Sequence, residues 1–198
     1  MIIVFLKRLI DIIISFFFLT LLSPIICLIF ILIKYETTGP AIIIQTRLGK
    51  NLKKFKMYKF RSLIYDKKQI NKNTIIKRNH KSITKVGKFL RESSLDELPQ
   101  LFNVFYGNMS LVGPRPPMID EMKVVKKYDR YLERFSVMPG ITGYAQVVGR
   151  NTLQWKNKIR YDLIYIKLIK KYGILIDFYV IIVTLFKVVL RIGIYEKN

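Results

Sequence analysis

Two adjacent acidic residues, Asp96 and Glu97, are the leading candidates for chemistry in this chain of 198 residues. They stand just before Pro99, where the spacing of residues 99–106 predicts a helix with proline in its first turn. A helix N-terminus stabilises negative charge, so both carboxylates are expected to stay ionised. An ionised carboxylate can attack phosphorus or bind Mg²⁺ together with phosphate oxygens. The structural alternative is a capping box, because Ser94-x-x-Glu97 has that pattern.

Three basic residues are candidates for phosphate binding. Arg115 follows the predicted helix inside residues 113–117, where Gly113 permits a close backbone approach and three prolines stiffen the loop. Lys59 and Arg61 are two positions apart on a predicted strand. A guanidinium group matches the geometry of phosphate oxygens. For each of the three, the alternative is a surface charge or an ordinary ion pair.

The distribution of charge favours an anionic partner. The formal net charge is +22, and the segment from Arg47 to Arg91 holds sixteen basic residues and one acidic residue. Such a block suits nucleic acid, an anionic lipid surface or phosphorylated substrates, with a solvated basic face as the alternative. A hydrophobic content of 51% excludes a disordered basic tail. Cys27 and His80 are the whole supply of their types, which excludes a disulfide scaffold and a Cys/His zinc site.

The N-terminal segment is expected to lie in lipid. Residues 12–33 contain no charged side chain, and a helix of that length spans about 33 Å, close to the hydrocarbon thickness of a bilayer. Pro24 lies near the middle of this run and removes the amide that would bond to the carbonyl of Thr20, while Ser23 can satisfy such a group. A kinked spanning helix and a re-entrant helix–break–helix both fit these residues.

The remaining elements predict a mainly α chain with a small β-hairpin, an α+β fold. Residues 41–63 are expected to form the hairpin, and residues 118–135 and 157–172 to form helices, whereas residues 66–85 are polar and predict a mobile loop or an insert. Residues 173–194 predict an amphipathic helix, because its few polar residues fall within about 80° of one another at 100° per residue. Such a helix lies in a membrane interface or covers a soluble core, and its apolar face suits lipid or a second copy of the chain.

Eight motifs in order make the chain resemble the bacterial sugar transferase family, the monotopic phosphoglycosyl transferases. The resemblance runs from about Phe5 to the C-terminal helix. Its marks are Lys7-Arg8 with Asp11, Ser23-Pro24, Gln45-Thr46-Arg47-x-Gly49, Tyr58-Lys59-Phe60-Arg61-Ser62, Ser94-Leu95-Asp96-Glu97-Leu98-Pro99-Gln100-Leu101, Met109-Ser110-Leu111-Val112-Gly113-Pro114-Arg115-Pro116, Pro139-Gly140-Ile141-Thr142-Gly143 and Val148-Gly149-Arg150-Asn151. Tyr144, Val148 and Leu63 depart from the residues common in that family.

The resemblance implies a reaction and a role for each site residue. Asp96 would be a nucleophile that takes a phosphosugar from a UDP-sugar, releases UMP and passes the phosphosugar to undecaprenyl phosphate. Glu97 would bind the required Mg²⁺. Lys59, Arg61 and Arg115 would recognise phosphate. Arg150 and Asn151 would contact the nucleotide or position the site.

The resemblance also implies a location. Residues 1–36 would form a re-entrant helix broken at Ser23-Pro24, and residues 37–198 a catalytic domain at the cytoplasmic face of the bacterial inner membrane, with a homodimer as an open alternative. Two other classes use the same basic block: a membrane-tethered nucleic-acid binder and a non-catalytic scaffold. The sequence carries no nucleic-acid recognition signature, so no nucleic-acid partner is expected. The paired carboxylates Asp96 and Glu97 indicate a catalytic protein rather than a non-catalytic scaffold.

Overall fold

A computed structural model of the chain describes residues 2–65, 82–149 and 152–190. In these ranges the chain is mainly helical and carries two two-stranded sheets, as the α+β prediction requires. In chain order, the helices and strands are α1 (Ile2–Leu21), α2 (Ser23–Glu36), β1 (Ile42–Leu48), β2 (Lys54–Phe60), α3 (Lys85–Ser93), α4 (Gln100–Phe105), β3 (Ser110–Val112), α5 (Met122–Val125), β4 (Gly140–Thr142), α6 (Tyr144–Gly149), α7 (Trp155–Tyr172) and α8 (Leu175–Val189).

The apolar N-terminal segment is bent where the sequence predicts a break. α1 and α2 meet at an angle of 61°, and Pro24 lies in the first turn of α2, where a missing amide is tolerated. The hydroxyl of Ser23 donates a hydrogen bond to the carbonyl of Thr20 at 2.8 Å. In the described ranges, no single helix has the length and apolar composition needed to cross a membrane, although the bent pair has both when taken together.

Charged residues at the start of α1 fix it to the rest of the chain. Arg8 donates hydrogen bonds of 2.6 and 2.7 Å to carbonyl oxygens at the end of α4, and a cation is favourable at that end of a helix. Asp11 accepts a 3.0 Å bond from the amide of Leu111 in β3. Lys7 donates to the carbonyl of Val112 and to Asp177 of α8. One turn of α1 therefore ties the apolar helix pair to β3, α4 and α8.

The predicted hairpin is present. β1 and β2 pair antiparallel in a register that sets Ile42 opposite Phe60 and Gln45 opposite Met57. Asn51 and Leu52 adopt positive φ angles of 54° and 59° in the turn between the strands. Residues 66–81, most of the predicted polar loop, lie outside the described residues.

A second, smaller sheet was not predicted. β3 and β4 pair in parallel, with Ser110 opposite Gly140 and Val112 opposite Thr142. The strands approach so closely that a Cβ atom on Gly140 would lie 2.1 Å from the backbone nitrogen of Gly113. Residue 140 must therefore be glycine, which gives a physical reason for the Pro139-Gly140 motif noted in the sequence.

The helix predicted for residues 118–135 is wrong. The structure has only α5 in this segment, followed by a 3-10 turn at Tyr131–Ser136. Arg130 adopts a left-handed conformation with φ 58° between them, which ends regular helix. The turn points Arg134 into the protein, where it is 3% exposed. A continuous helix would not provide that change of direction.

Helix α8 has the predicted polar stripe, and the stripe faces the protein. Asp177 is 5% exposed and bonds to Lys7 and Tyr165, while Thr184 bonds to Thr142. The opposite face is apolar and exposed, and it includes Leu175, Phe178, Ile182, Leu185 and Phe186. An outward apolar face is the arrangement of a helix that meets lipid or another apolar surface.

One hydrophobic cluster connects α2, the second apolar helix, to the turn that contains Asp96 and Glu97. Ile29 and Ile33 of α2 pack with Phe60 at the end of β2 and Leu90 of α3. Leu95 and Leu98, which flank the two carboxylates, pack against the same cluster. The segment that carries the candidate chemistry therefore rests directly on the second half of the apolar helix pair.

Candidate active site

Asp96 and Glu97 lie in a 3-10 turn, Leu95–Glu97, between α3 and α4. Ser94 precedes the turn in the left-handed conformation, with φ 59°, so the chain changes direction at the end of α3. Because the flanking leucines point into the core, the two acidic side chains are directed to the other side of the turn. They are 15% and 19% exposed, which leaves them accessible yet largely shielded from water.

Four of the predicted site residues are brought together. The ammonium of Lys59 lies 2.7 Å from Oε1 of Glu97 and 3.6 Å from Oδ2 of Asp96. Nη2 of Arg115 lies 2.8 Å from the same Oε1 of Glu97. Lys59 thus bridges both carboxylates, and Glu97 holds two cations at once. Arg115 is 39% exposed, so its guanidinium is open to an incoming anion.

The two neighbouring carboxyl groups differ in their pKa values. Burial raises the pKa of Asp96, and the charge of Glu97 raises it further, while Lys59 opposes both effects. Burial also acts to raise the pKa of Glu97, but Arg115 and Lys59 outweigh it and hold that pKa well below its usual range. Glu97 is therefore a fixed anion, whereas Asp96 is the carboxylate with the more basic oxygen. Paired groups whose surroundings separate their pKa values are typical of catalytic sites.

The capping-box alternative does not describe Glu97. Its carboxylate accepts hydrogen bonds from Lys59 and Arg115, and the side chain of Ser94 makes no capping hydrogen bond to the turn. The acidic pair also lies in its own 3-10 turn rather than in the first turn of α4, which starts at Gln100. The sequence singles out these two acidic residues as candidates, but it does not predict this local geometry.

Arg61 is placed apart from these four residues. Strand β2 ends at Phe60, and the guanidinium of Arg61 donates hydrogen bonds to the carbonyl oxygens of Thr37, at 2.9 Å, and Thr38. These contacts stabilise the end of α2, and burial lowers the pKa of Arg61. Arg150 and Asn151, the other predicted contacts to substrate, lie outside the described residues.

The contacts of Arg61 predict that Arg61→Met lowers the stability of the protein. We expect the free energy of unfolding to fall by about 1–3 kcal/mol, because the partly buried carbonyl oxygens at the end of α2 lose a charged donor. Urea unfolding of the purified chain measures it, with Lys56→Met, an exposed lysine on the same hairpin, as the control. Unchanged stability together with a large loss of affinity for UDP would return Arg61 to phosphate recognition.

Two further arginines surround the Arg115 loop and were not predicted as site residues. Arg47 is 6% exposed and donates to the carbonyl of Pro116 at 3.3 Å; burial and then the charge of Arg115 lower its pKa to about 10. Arg134 donates to the carbonyl of Arg115 at 2.8 Å. Arg47 belongs to a motif noted in the sequence, but nothing local in the sequence marks Arg134.

The acidic pair fits a magnesium ion that is completed by substrate. Within the described ranges there is no group of three His, Cys, Asp or Glu residues able to hold a metal by themselves. Mg²⁺ commonly binds one or two protein carboxylates and takes its other ligands from phosphate and water. Asp96 and Glu97 would provide those two carboxylates, and the neighbouring cations would suit the phosphate. This donor set agrees with the Mg²⁺ that the sequence resemblance implies.

Taken together, the fold and the site bring two carboxylates and two cations together beside a bent apolar helix pair, the class of site expected to bind phosphate groups. Comparison with known proteins agrees with this class: the family model for bacterial sugar transferases matches residues 2–191. The chain belongs to the bacterial sugar transferase family.

Curated relatives cover nearly all of the chain. It is 42% identical over 189 residues to the UDP-glucose:undecaprenyl-phosphate glucose-1-phosphate transferase of Klebsiella pneumoniae, covering 91% of this chain and 39% of that protein. It is 38% identical over 190 residues to the protein of the same name in Escherichia coli (strain K12), covering 92% of this chain and 40% of the relative. An uncharacterized sugar transferase of Bacillus subtilis (strain 168) is 35% identical over 193 residues, covering 98% and 92%. The chain thus spans about two fifths of the length of the first two relatives.

Proposed function

We propose that this chain transfers a sugar 1-phosphate from a UDP-sugar to undecaprenyl phosphate and releases UMP. The observation that carries the proposal is the contact of Lys59 with both carboxylates, 3.6 Å from Asp96 and 2.7 Å from Glu97, beside the accessible Arg115. That arrangement places a basic carboxylate oxygen next to two cations able to bind a diphosphate. The names of the Klebsiella pneumoniae and Escherichia coli relatives support the same pair of substrates.

The transfer proceeds in two displacements at one phosphorus atom. An oxygen of the ionised Asp96 attacks the phosphorus of the sugar-bearing phosphate, and the bond from that phosphorus to the bridging oxygen breaks. UMP leaves with the electron pair, and the phosphosugar stays on Asp96 as an acyl phosphate. A phosphate oxygen of undecaprenyl phosphate then attacks the same phosphorus, and Asp96 leaves as a carboxylate. The products are UMP and an undecaprenyl diphosphate sugar.

The neighbouring residues stabilise charge in both steps. Arg115 and Lys59 neutralise the phosphate oxygens, and the fixed anion Glu97 holds the two cations in place. Asp96 and Glu97 would hold Mg²⁺, which supplies Lewis-acid neutralisation of the diphosphate when bound. Burial helps as well, because electrostatic interactions are stronger where water is excluded.

We further propose that the bent helix pair is re-entrant and keeps the site at the cytoplasmic face of the bacterial inner membrane. Both of its ends carry structure: α1 is fixed by Lys7, Arg8 and Asp11, and α2 leads into the hairpin. Apolar side chains along α1, α2 and the outer face of α8 are exposed, including Phe17, Ile31 and Leu185. Placing these faces in one leaflet would bring a lipid phosphate to the height of the site.

The proposed function is tested by assaying the full chain in detergent micelles. Incubation with Mg²⁺, undecaprenyl phosphate and each of several UDP-sugars should release UMP and yield an undecaprenyl diphosphate sugar, identified by mass spectrometry, with at least one donor. A chain that binds lipid and nucleotide but forms no such product with any donor contradicts the proposal. An RNA complex that stays tight at high salt would favour the nucleic-acid class instead.

The pH dependence of kcat/KM should follow the ionisation of Asp96. The nucleophile must be deprotonated, and burial raises its pKa, so activity is expected to fall with acid at a higher pH than an ordinary aspartate would cause. Lys59→Met removes the charge that opposes this effect, so the acid limb should move to still higher pH. Lys56→Met, an exposed lysine on the same strand, should leave the limb in place. An acid limb that moves to lower pH in Lys59→Met would contradict the assignment of Asp96 as the nucleophile.

A further inference from the structure

The main chain of the Arg115 loop is held through its carbonyl oxygens. Three of residues 114–117 are prolines and have no N–H to donate. The first and last carbonyl oxygens of these four residues accept hydrogen bonds from the backbone amides of Gly140, at 3.0 Å, and Leu48, at 3.2 Å. The two middle carbonyls are bound by arginine side chains instead. The position of Arg115 itself therefore depends on a side chain from another part of the fold.

That side chain is Arg134, and its own position is fixed on several sides. Nη2 donates to the carbonyl of Arg115 at 2.8 Å, and Nε donates to Asp162 of α7 at 2.9 Å. The side chains of Arg134 and Asp162 are each 2% exposed. The guanidinium carbon lies 5.2 Å from the ring centroid of Trp155 and 5.3 Å from that of Phe135. A planar group held in this way has little freedom to move.

We propose that Arg134 is the positioning residue of the phosphate clamp, acting through the main chain of Arg115, with Asp162 as its counter-charge. Arg134 touches no reacting atom; it fixes the backbone from which the Arg115 guanidinium reaches Glu97 and the substrate phosphates. Asp162 neutralises Arg134, so this second arginine holds the loop without competing for the anion. The inference rests on the proposed function and adds a residue that contributes to phosphate affinity without contacting the phosphate.

The chemistry of the pair explains why arginine is needed. A guanidinium presents N–H groups in two directions at fixed angles, so one side chain can bind a carboxylate and a carbonyl at the same time. A buried charge is costly unless it is paired, and replacing only one partner leaves the other unpaired. A test must therefore remove both charges together. Arg134→Met together with Asp162→Leu removes both charges, and the methionine is close in volume to the arginine it replaces.

The experiment measures UDP binding by calorimetry, with Mg²⁺, on the full chain in detergent. Arg134→Met with Asp162→Leu should bind UDP about tenfold more weakly, and its kcat/KM should fall about 100-fold through displacement of Arg115. Val180→Ala, a buried change in α8 that keeps every hydrogen bond to the loop, is the control for general destabilisation and should bind UDP normally. Arg134→Lys, which keeps a charge opposite Asp162, is the second variant if the double variant does not fold, and it should also bind UDP more weakly.

The decisive experiment introduces Arg134→Met and Asp162→Leu into a variant that already carries Arg115→Ala. If Arg134 acts only through Arg115, the double change should cost no further UDP affinity there. An additional loss as large as in the unaltered background overturns the inference, and so does wild-type UDP affinity in a folded Arg134 variant. An unaltered chain that binds no UDP overturns it together with the proposed function. UDP binding with these effects but without sugar-phosphate transfer overturns the proposed function alone.

Discussion

Asp96→Asn is expected to lower the rate of UMP release by about 10⁴-fold or more, because an amide cannot replace the carboxylate nucleophile. The folded protein should be at least as stable as the unaltered chain at neutral pH. The reason lies in the sign of the pKa shift: burial raises the pKa of Asp96 in the folded state, so ionisation at neutral pH opposes folding. Initial rates of UMP release and a thermal melt measure the two effects.

The matched control for this change is Asp129→Asn. Asp129 is an exposed aspartate, and its replacement makes the same chemical change away from the site. It should leave both the rate and the melting temperature unchanged. A folded Asp96→Asn variant with full transfer activity would remove Asp96 from its role as nucleophile.

Glu97→Gln is expected to lower kcat by about 10²–10³-fold and to weaken the response to Mg²⁺. The change leaves Lys59 and Arg115 close together without the anion that holds them, so the clamp should loosen and the protein should lose stability at neutral pH. Since the pKa of Glu97 is lowered in the folded state, its stabilising effect is present above the ordinary glutamate pKa and is lost as pH falls. The unfolding curves of the two proteins should therefore differ at neutral pH and converge at acidic pH.

Glu97→Gln is also expected to lower the pKa of the neighbouring Asp96. The charge of Glu97 raises the pKa of Asp96, so the acid limb of the rate should move to lower pH in Glu97→Gln. Glu133→Gln, which removes a carboxylate from an exposed ion pair with Arg130, is the control and should change neither property. Normal Mg²⁺-dependent kinetics with reduced stability alone would mean that Glu97 is only a structural residue.

The acidic motif and its immediate partners could be predicted because their signals are local. Pro99 marked the start of a helix, and the adjacent acids stood out in a chain with few acidic residues. Lys59 lies on a strand that was predicted from residue types alone. The break at Ser23-Pro24 was predicted on the same basis, because the missing amide of proline and the hydroxyl beside it act within one helical turn.

Arg61 shows where local reasoning stops. On an extended strand, Lys59 and Arg61 would point to the same face, since side chains alternate with a period of two. The strand ends at Phe60, so Arg61 turns to the end of α2 while Lys59 reaches the carboxylates. Where a strand ends depends on its partner, and here the partner strand begins at Ile42, opposite Phe60.

Contacts between distant parts of the chain could not be predicted, because no local sequence pattern indicates them. The parallel pairing of Ser110 with Gly140 joins two three-residue strands that are too short to show any periodicity. The pair formed by Arg134 and Asp162 joins a 3-10 turn to α7, and each residue alone resembles an ordinary surface charge. The polar stripe of α8 was visible, but only the structure shows that it faces Lys7 and Thr142.

The central claim is that Asp96 carries the phosphosugar. Its most direct test is mass spectrometry of the full chain after incubation with a UDP-sugar and Mg²⁺, without lipid acceptor, followed by peptide mapping. We predict a mass increase of one phosphosugar on the peptide that contains Asp96, which disappears when undecaprenyl phosphate is added. UMP release that requires the lipid acceptor, with no adduct on that peptide, would contradict the account and indicate a single direct displacement.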